Sequence, residues 1–137
     1  MINKYALTTF VSELSISVPM ERILLAEPMS EHTTFAVGGP ADVLILPESV
    51  KEMSLAIRAA RRLDLPVTVL GGGSNLVLTG DFAGLMLAMA IPGKACIGED
   101  AQAWYIAAGA GENWHAFVMN RMTGDWWPCA VTVPTTP

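Results

Sequence analysis

Apolar and polar positions change rhythm several times along the chain, and each change predicts an element. Val43-Leu44-Ile45-Leu46 is a short unbroken apolar run closed by Pro47, the pattern of a strand buried on both faces. Behind it, Ser49-Val50-Lys51-Glu52 has the spacing of a capping box, a hydroxyl at the N-cap with a carboxylate three residues on. Val50, Met53, Ile57, Ala60 and Leu63 then recur at helical spacing, while Lys51, Glu52, Arg58, Arg61 and Arg62 fall on the outward face. The three arginines lie toward the C-terminal end, where the helix dipole favours cations. Pro66 stops the helix, and Val67-Thr68-Val69-Leu70 reads as a second buried strand. A strand, a helix and a strand in this order predict a parallel pair joined by a right-handed crossover.

Past this unit the pattern is β. Leu76-Val77-Leu78, Leu85-Met86-Leu87 and Trp104-Tyr105-Ile106-Ala107 are predicted strands, with Gly80, Gly84 and Pro92-Gly93 as turn points. A helix is predicted to begin near Glu112 and to run through Trp114, Phe117 and Val118. Residues 1–30 read as a helical or mixed lead-in closed by Pro28, ahead of the polar patch Ser30-Glu31-His32-Thr33-Thr34. The stretch from Gly124 to Pro137 has three prolines, a Trp126-Trp127 pair and no helical period, and it is assigned no structure.

Composition narrows the function classes. The chain has 137 residues, the length of one domain. An apolar content of 52% excludes disorder. With 8 basic against 13 acidic residues the net charge is −5, which disfavours nucleic acid and anionic membranes as partners. Charged residues make up only 15% and mean hydropathy is +0.42. So little charge predicts exposed apolar surface that a partner, a cofactor or further chain would cover. The longest apolar run, Leu85 to Ile91, is far short of the ~20 residues of a membrane span. Thr8, Thr9, Ser12 and Glu13 interrupt any signal-peptide core. A cytoplasmic location and reduced Cys96 and Cys129 are therefore expected, and no metal site, because the two cysteines and two histidines are scattered.

The strongest candidate for chemistry is Gly71-Gly72-Gly73-Ser74-Asn75, directly after the second predicted strand of the crossover unit. Consecutive glycines permit close backbone approach, and their N–H groups can form a nest for anionic oxygens. Ser74 and Asn75 add side-chain hydrogen bonding. A diphosphate cradle needs these properties, and a flexible turn between two strands suits the same residues equally well. The loop is no Walker A motif, since no Gly-Lys-Ser/Thr follows, and no Rossmann fingerprint, since Leu76-Val77-Leu78 reads as strand rather than helix. Gly109-Ala110-Gly111 suits either a cofactor contact or close packing, with packing the simpler reading. His32 and His115 have no carboxylate or nucleophile identified as a partner by spacing, which favours structural or surface roles. Trp104, Trp114 and Phe117 read as core rather than a base-stacking platform, because no basic residues interleave with them.

Several motifs occur together and in order: Glu27-Pro28-Met29-Ser30-Glu31-His32-Thr33-Thr34-Phe35, Gly38-Gly39-Pro40-Ala41-Asp42, Pro47-Glu48-Ser49-Val50, Leu70-Gly71-Gly72-Gly73-Ser74-Asn75-Leu76 and Gly109-Ala110-Gly111-Glu112-Asn113-Trp114-His115. Over about residues 24–120 they closely resemble the N-terminal part of the UDP-N-acetylenolpyruvoylglucosamine reductase family, the UDP-N-acetylmuramate dehydrogenases of peptidoglycan synthesis. The resemblance implies an α+β FAD-binding domain of the vanillyl-alcohol-oxidase type, with FAD as cofactor. It implies that Gly71, Gly72, Gly73, Ser74 and Asn75 hold the FAD pyrophosphate. It also implies a nucleotide-sugar substrate, NADPH as hydride donor, and transfer of hydride through the flavin to the enolpyruvyl double bond.

The Ile-Pro-Gly segment that the family carries after its counterpart of Gly109–His115, and the later active-site Arg, proton-donating Ser, Glu and substrate domain, have no counterpart after His115 here, so no catalytic residue is assigned. The expected organisation is a lead-in at 1–23, a partial and truncated FAD-binding domain at 24–120, and a divergent tail at 121–137. Read one base later, the codons for Asp125 to Cys129 can encode a Gly-Gly-Leu stretch, so a shifted reading frame is one account of that tail. Weak or absent FAD retention and little activity are expected of the chain alone. A non-enzymatic module that binds a nucleotide or flavin is the alternative.

Overall fold

The computed structural model describes residues 4–123. Its elements are α1 (Lys4–Leu14), β1 (Ile23–Pro28), β2 (Pro40–Ile45), α2 (Val50–Arg62), β3 (Val67–Leu70), β4 (Phe82–Ala88), β5 (Lys94–Glu99), β6 (Trp104–Ala108) and α3 (Trp114–Thr123). The predicted features between Gly124 and Pro137, including Cys129, lie outside the described residues.

Four strands form one mixed sheet in the order β1-β2-β4-β3, with β1 antiparallel to β2 and the other pairs parallel. The fold class is α+β, as expected. The predicted strand–helix–strand unit is present as β2, α2 and β3, but its two strands are not neighbours. β4 lies between them. The reason is burial. Leu85, Met86 and Leu87 of β4 are fully buried, and a run with no polar face belongs where both faces are covered. The shorter β3 takes the edge, where Val69 is 58% exposed.

Side chains alternate between two apolar layers. Val43, Ile45, Leu85 and Leu87 face a cluster with Phe10 and Leu14 of α1, Ala56 and Ala60 of α2, and Ile23 and Leu65. Leu44, Met86 and Leu70 face the other way, onto Met29, with Leu24, Leu76, Leu78 and Phe82 packed against them. Leu76-Val77-Leu78 is therefore not a strand. Its alternation arises because the segment lies across the second face of the sheet, with Leu76 and Leu78 inward and Val77 exposed. Gly84 is not a turn point either. It sits inside β4, and a Cβ there would lie 2.5 Å from the Pro66 carbonyl.

Helix α2 starts as its sequence predicts. Ser49 Oγ accepts the Glu52 N–H at 3.2 Å. Glu52, however, does not face solvent. Its carboxylate accepts the Glu48 N–H and both guanidinium nitrogens of Arg22 at 2.8–2.9 Å, which holds it below the usual carboxylate range. Val50 is 43% exposed rather than buried. The inner line of the helix runs through Ala56 and Ala60. At 100° per residue, Val50 lies about 100° from that line and Glu52 only about 60°. The helix ends with Asp64 in the left-handed region (φ 53°). The Leu65 N–H reaches back to Ala60 O at 2.9 Å and the Asp64 N–H to Arg61 O at 3.3 Å, the paired bonds of a Schellman cap.

Two strands went unread in the sequence. β1 lies within the mixed lead-in and adds the antiparallel edge. β5, Lys-Ala-Cys-Ile-Gly-Glu, lacks a clean alternation and pairs with β6 as a separate antiparallel ribbon bulged between Cys96 and Gly98. Beyond it, Trp114 of α3 is 75% exposed and stacks on Phe117 at 5.6 Å between ring centroids. Trp104 is exposed too, so these tryptophans are not the core residues expected. A two-stranded ribbon is too narrow to bury large rings by itself. Cys96 is a free thiol.

Candidate functional site

In the parallel part of the sheet β2, β3 and β4 end on the same side, the side on which open α/β sheets place ligands. The chain leaves β3 at Leu70 and enters Gly71-Gly72-Gly73-Ser74-Asn75 at that end. These five residues, with Val69, Leu70 and Leu76, line a hollow of ≈ 270 Å³.

The three glycines are not equivalent. Around Gly71 and Gly72 an added Cβ would meet nothing within 4 Å, and both are exposed. Gly73 is buried with φ +69°, and a Cβ there would lie 2.1 Å from the His32 carbonyl oxygen and 3.0 Å from Thr33 Cα. The Gly73 carbonyl accepts the Thr34 N–H at 3.0 Å. One glycine thus fastens the loop to the 32–34 segment, and two leave it open.

The loop's donors are open as well. Among the described residues, none of the backbone N–H groups of Gly71 to Asn75 donates to a protein acceptor. The exposed side chains of Ser74 and Asn75 make no intramolecular hydrogen bond in the same set. Adjacent unpaired N–H groups at the end of a parallel strand form a concentrated positive potential without any formal charge. The structure thus brings all five predicted site residues around one hollow, with Gly71, Gly72, Ser74 and Asn75 exposed and Gly73 buried.

His32 has the carboxylate partner that spacing failed to identify. Its Nε2 hydrogen-bonds Glu27 Oε1 at 2.8 Å, with both side chains about four-fifths buried (23% and 20% exposed). Glu27 sits on β1 and His32 in the turn after it, so the bend of the chain, not a periodicity, joins them. Glu27, His32 and Thr34 belong to the neighbourhood of the site and carried no signal beyond membership of the Glu27–Phe35 motif. His115 is exposed on α3.

Gly109-Ala110-Gly111 behaves differently. A Cβ on Gly109 would lie 2.3 Å from Ile91 O, and one on Gly111 2.5 Å from Ala90 C. The Gly109 and Gly111 N–H groups are bonded to Gly93 O and Ile91 O. The glycines serve close packing, here against the segment after β4. Glu112 secures the junction. Its carboxylate accepts the Gly93 N–H at 2.7 Å and pairs with Lys94 at 3.0 Å. These contacts hold its carboxyl below the usual range, the Gly93 bond most of all.

A family described as FAD binding domain matches residues 41–129. This chain belongs to the FAD-binding domain family. Among curated relatives it is 54% identical over 85 residues to the UDP-N-acetylenolpyruvoylglucosamine reductase of Dechloromonas aromatica, covering 62% of this chain and 21% of that one. It is 46% identical over 91 residues to the reductase of the same name from Paraburkholderia phymatum, covering 66% of this chain and 26% of that one. The chain thus spans about a quarter of the length of these relatives. Among solved structures, a 4-ethylphenol oxidase from Gulosibacter chungangensis superimposes with a TM-score of 0.63 at 17% identity, over 90% of this chain and 26% of that one. That likeness fixes the fold of this FAD-binding domain as one shared with a larger oxidase.

The residues present fit the diphosphate of such a cofactor. Gly71 and Gly72 leave the room its oxygens would occupy, the N–H groups beside that room lack acceptors, and no acidic side chain lines the hollow.

Proposed function

We propose that this FAD-binding domain supplies the diphosphate site of a flavin-dependent reductase. The enzyme would reduce the enolpyruvyl group of a UDP-N-acetylglucosamine ether to the UDP-N-acetylmuramate product, with NADPH as the hydride source, in the cytoplasm. The reaction and the substrate rest on the named relatives. The cofactor role rests on the family and on one observation in the structure, the five unpaired N–H groups of Gly71 to Asn75 on an open loop.

FAD, when bound, supplies the two-electron chemistry that carries hydride from NADPH to a carbon–carbon double bond. The protein's part here is binding and orientation. The N–H groups of Gly71 to Asn75 would donate to the diphosphate oxygens, replacing the water those oxygens lose. The absence of side chains at Gly71 and Gly72 lets the diphosphate approach the backbone. Ser74 and Asn75 add neutral donors, so the site takes an anion without a Lys or Arg. Gly73, tied to Thr34, keeps the loop fixed when the ligand arrives, which lowers the ordering cost of binding. The 24–120 region would serve as this module, with 1–23 as its lead-in and 121–137 as a tail of divergent sequence.

FAD titration followed by flavin fluorescence tests the reading. With the loop open and its donors unpaired, weak but saturable binding by the 137-residue chain is expected in place of no binding, abolished in Gly72→Asp, where a carboxylate would enter the open face beside the diphosphate. Equal binding by the two proteins, or none by the wild type, would overturn it.

A further inference from the structure

Beyond the loop itself, the structure carries a second layer that the motifs did not reveal. We infer that the Glu27–His32 pair is a positioning device for the diphosphate loop, acting through the contact between the 32–34 backbone and Gly73. The inference rests on the FAD reading for its ligand, and on geometry alone for its mechanism.

Four contacts make a continuous path. His32 is held at both ends. Its N–H donates to Met29 O at 3.0 Å, and its ring donates from Nε2 to Glu27 Oε1 at 2.8 Å. Its carbonyl lies against Gly73 so closely that even a methyl group could not be inserted. Two residues on, the Thr34 N–H donates to Gly73 O. A rotation of the His32–Thr34 peptides would therefore tilt the Gly73 peptide and re-aim the N–H groups beside it. With its ring anchored, His32 resists that rotation.

Backbone strain brackets the same segment. Ala26, directly before Glu27, has φ 50°, and Ala36, two residues after Thr34, has φ 51°. Neither is a glycine, and a left-handed conformation is unfavourable for alanine. Such residues persist only where their surroundings over-determine them. Ala36 is held by its N–H bond to Thr33 O, and Thr33 Oγ1 closes the turn on Val37 O at 3.1 Å. One strained residue precedes the carboxylate and the other closes the turn behind Thr34. The 27–36 stretch thus has a fixed shape, and its contacts with Gly73, through His32, Thr33 and Thr34, lie near its centre.

Glu27 and His32 touch no ligand in this scheme. They act through Gly73, so their removal should loosen the loop and leave the sheet intact. The test compares His32→Ala with His32→Gln, whose amide can still donate to Glu27. Two readouts are taken: amide exchange of Thr34 in the ligand-free chain, and FAD affinity by fluorescence titration.

His32→Ala is expected to speed Thr34 exchange at least tenfold, to leave exchange of the β2 and β4 amides unchanged, and to weaken FAD binding by tenfold or more. His32→Gln is expected to restore both properties most of the way. Unchanged Thr34 exchange in His32→Ala overturns the inference, as does equal loosening of β2 and β4, which would mark a merely structural role. Unchanged FAD affinity with a loosened loop overturns its link to the ligand. Failure of the wild type to bind FAD overturns the functional reading instead, and the exchange readout then still decides whether the pair sets the loop.

Discussion

The loops at 71–75 and 109–111 look alike as sequence, each a glycine cluster at the end of a strand, yet they are opposites as structure. In the second, the glycines are there because backbone lies within 2.3–2.6 Å of where a Cβ would be, and the N–H groups of Gly109 and Gly111 are bonded within the protein. In the first, Gly71 and Gly72 face open space and the N–H groups are unspent. A glycine required by the fold is one whose replacement would collide. A glycine the fold does not require, beside unsatisfied donors, is one whose reason lies outside the chain.

Substitutions can break that contrast or sharpen it. The largest loss is expected within the first loop, at its one packed position. Gly73→Ala combines a left-handed backbone with a collision against His32 O, and should cost about 2–4 kcal/mol in urea unfolding. Gly109→Ala, which meets the carbonyls of Ile91 and Pro92, should cost about 1–3 kcal/mol by the same measurement. If either proves neutral, the distinction between packed and open glycines fails there.

Glu112→Gln should come next, at about 1 kcal/mol, because the Gly93 N–H keeps an acceptor but loses a charged one. It also carries a pH signature. The Glu112 carboxyl is depressed in the folded chain, so its contribution is fully present above the ordinary value of 4.5 and is lost as pH falls through the lower folded value. Unfolding free energy measured across that acid range should therefore fall less steeply in Glu112→Gln than in the wild type. Glu52, depressed by Arg22, should keep contributing to the slope in both proteins.

The smallest stability effect is expected at Gly72→Ala, within about 0.5 kcal/mol of wild type, since the methyl group enters empty space and the backbone is not left-handed. The same substitution should weaken FAD binding clearly in a fluorescence titration. Unchanged stability with lost affinity is what an open, ligand-directed glycine must show. A large loss of stability would place Gly72 with Gly73 and Gly109 instead.

Much of this was legible in the chain. The apolar runs at 43–46 and 67–70 and the period of α2 follow from local patterning, as does the Ser49 cap. The glycine run was legible as a loop directly after a strand, but its pattern suited a flexible turn as well as a diphosphate cradle. Local patterning stopped at questions of adjacency. It could not place β4 between β2 and β3, since strand order depends on which run is buried on both faces. It took Leu76-Val77-Leu78 for a strand, because a segment laid across a sheet alternates just as one within it does. It left His32 without a partner, because Glu27 reaches it only through the bend after β1. The low charge did foretell exposed apolar groups, and Ile97, Tyr105 and Trp114 of the ribbon and α3 are among them.

The sequence by itself determined β2, β3, the core of β4, β6, α2 and the start of α3, the glycine loop and, through motifs in register, the family. Those are properties of short stretches, set by side-chain period, capping and backbone freedom. Only the tertiary structure decided which glycines are held and which are free. It also decided that Glu52 turns inward to Arg22, and that a carboxylate–histidine pair stands behind the loop. Each of these depends on atoms brought together from distant or bent segments, and a one-dimensional pattern carries no record of such distances.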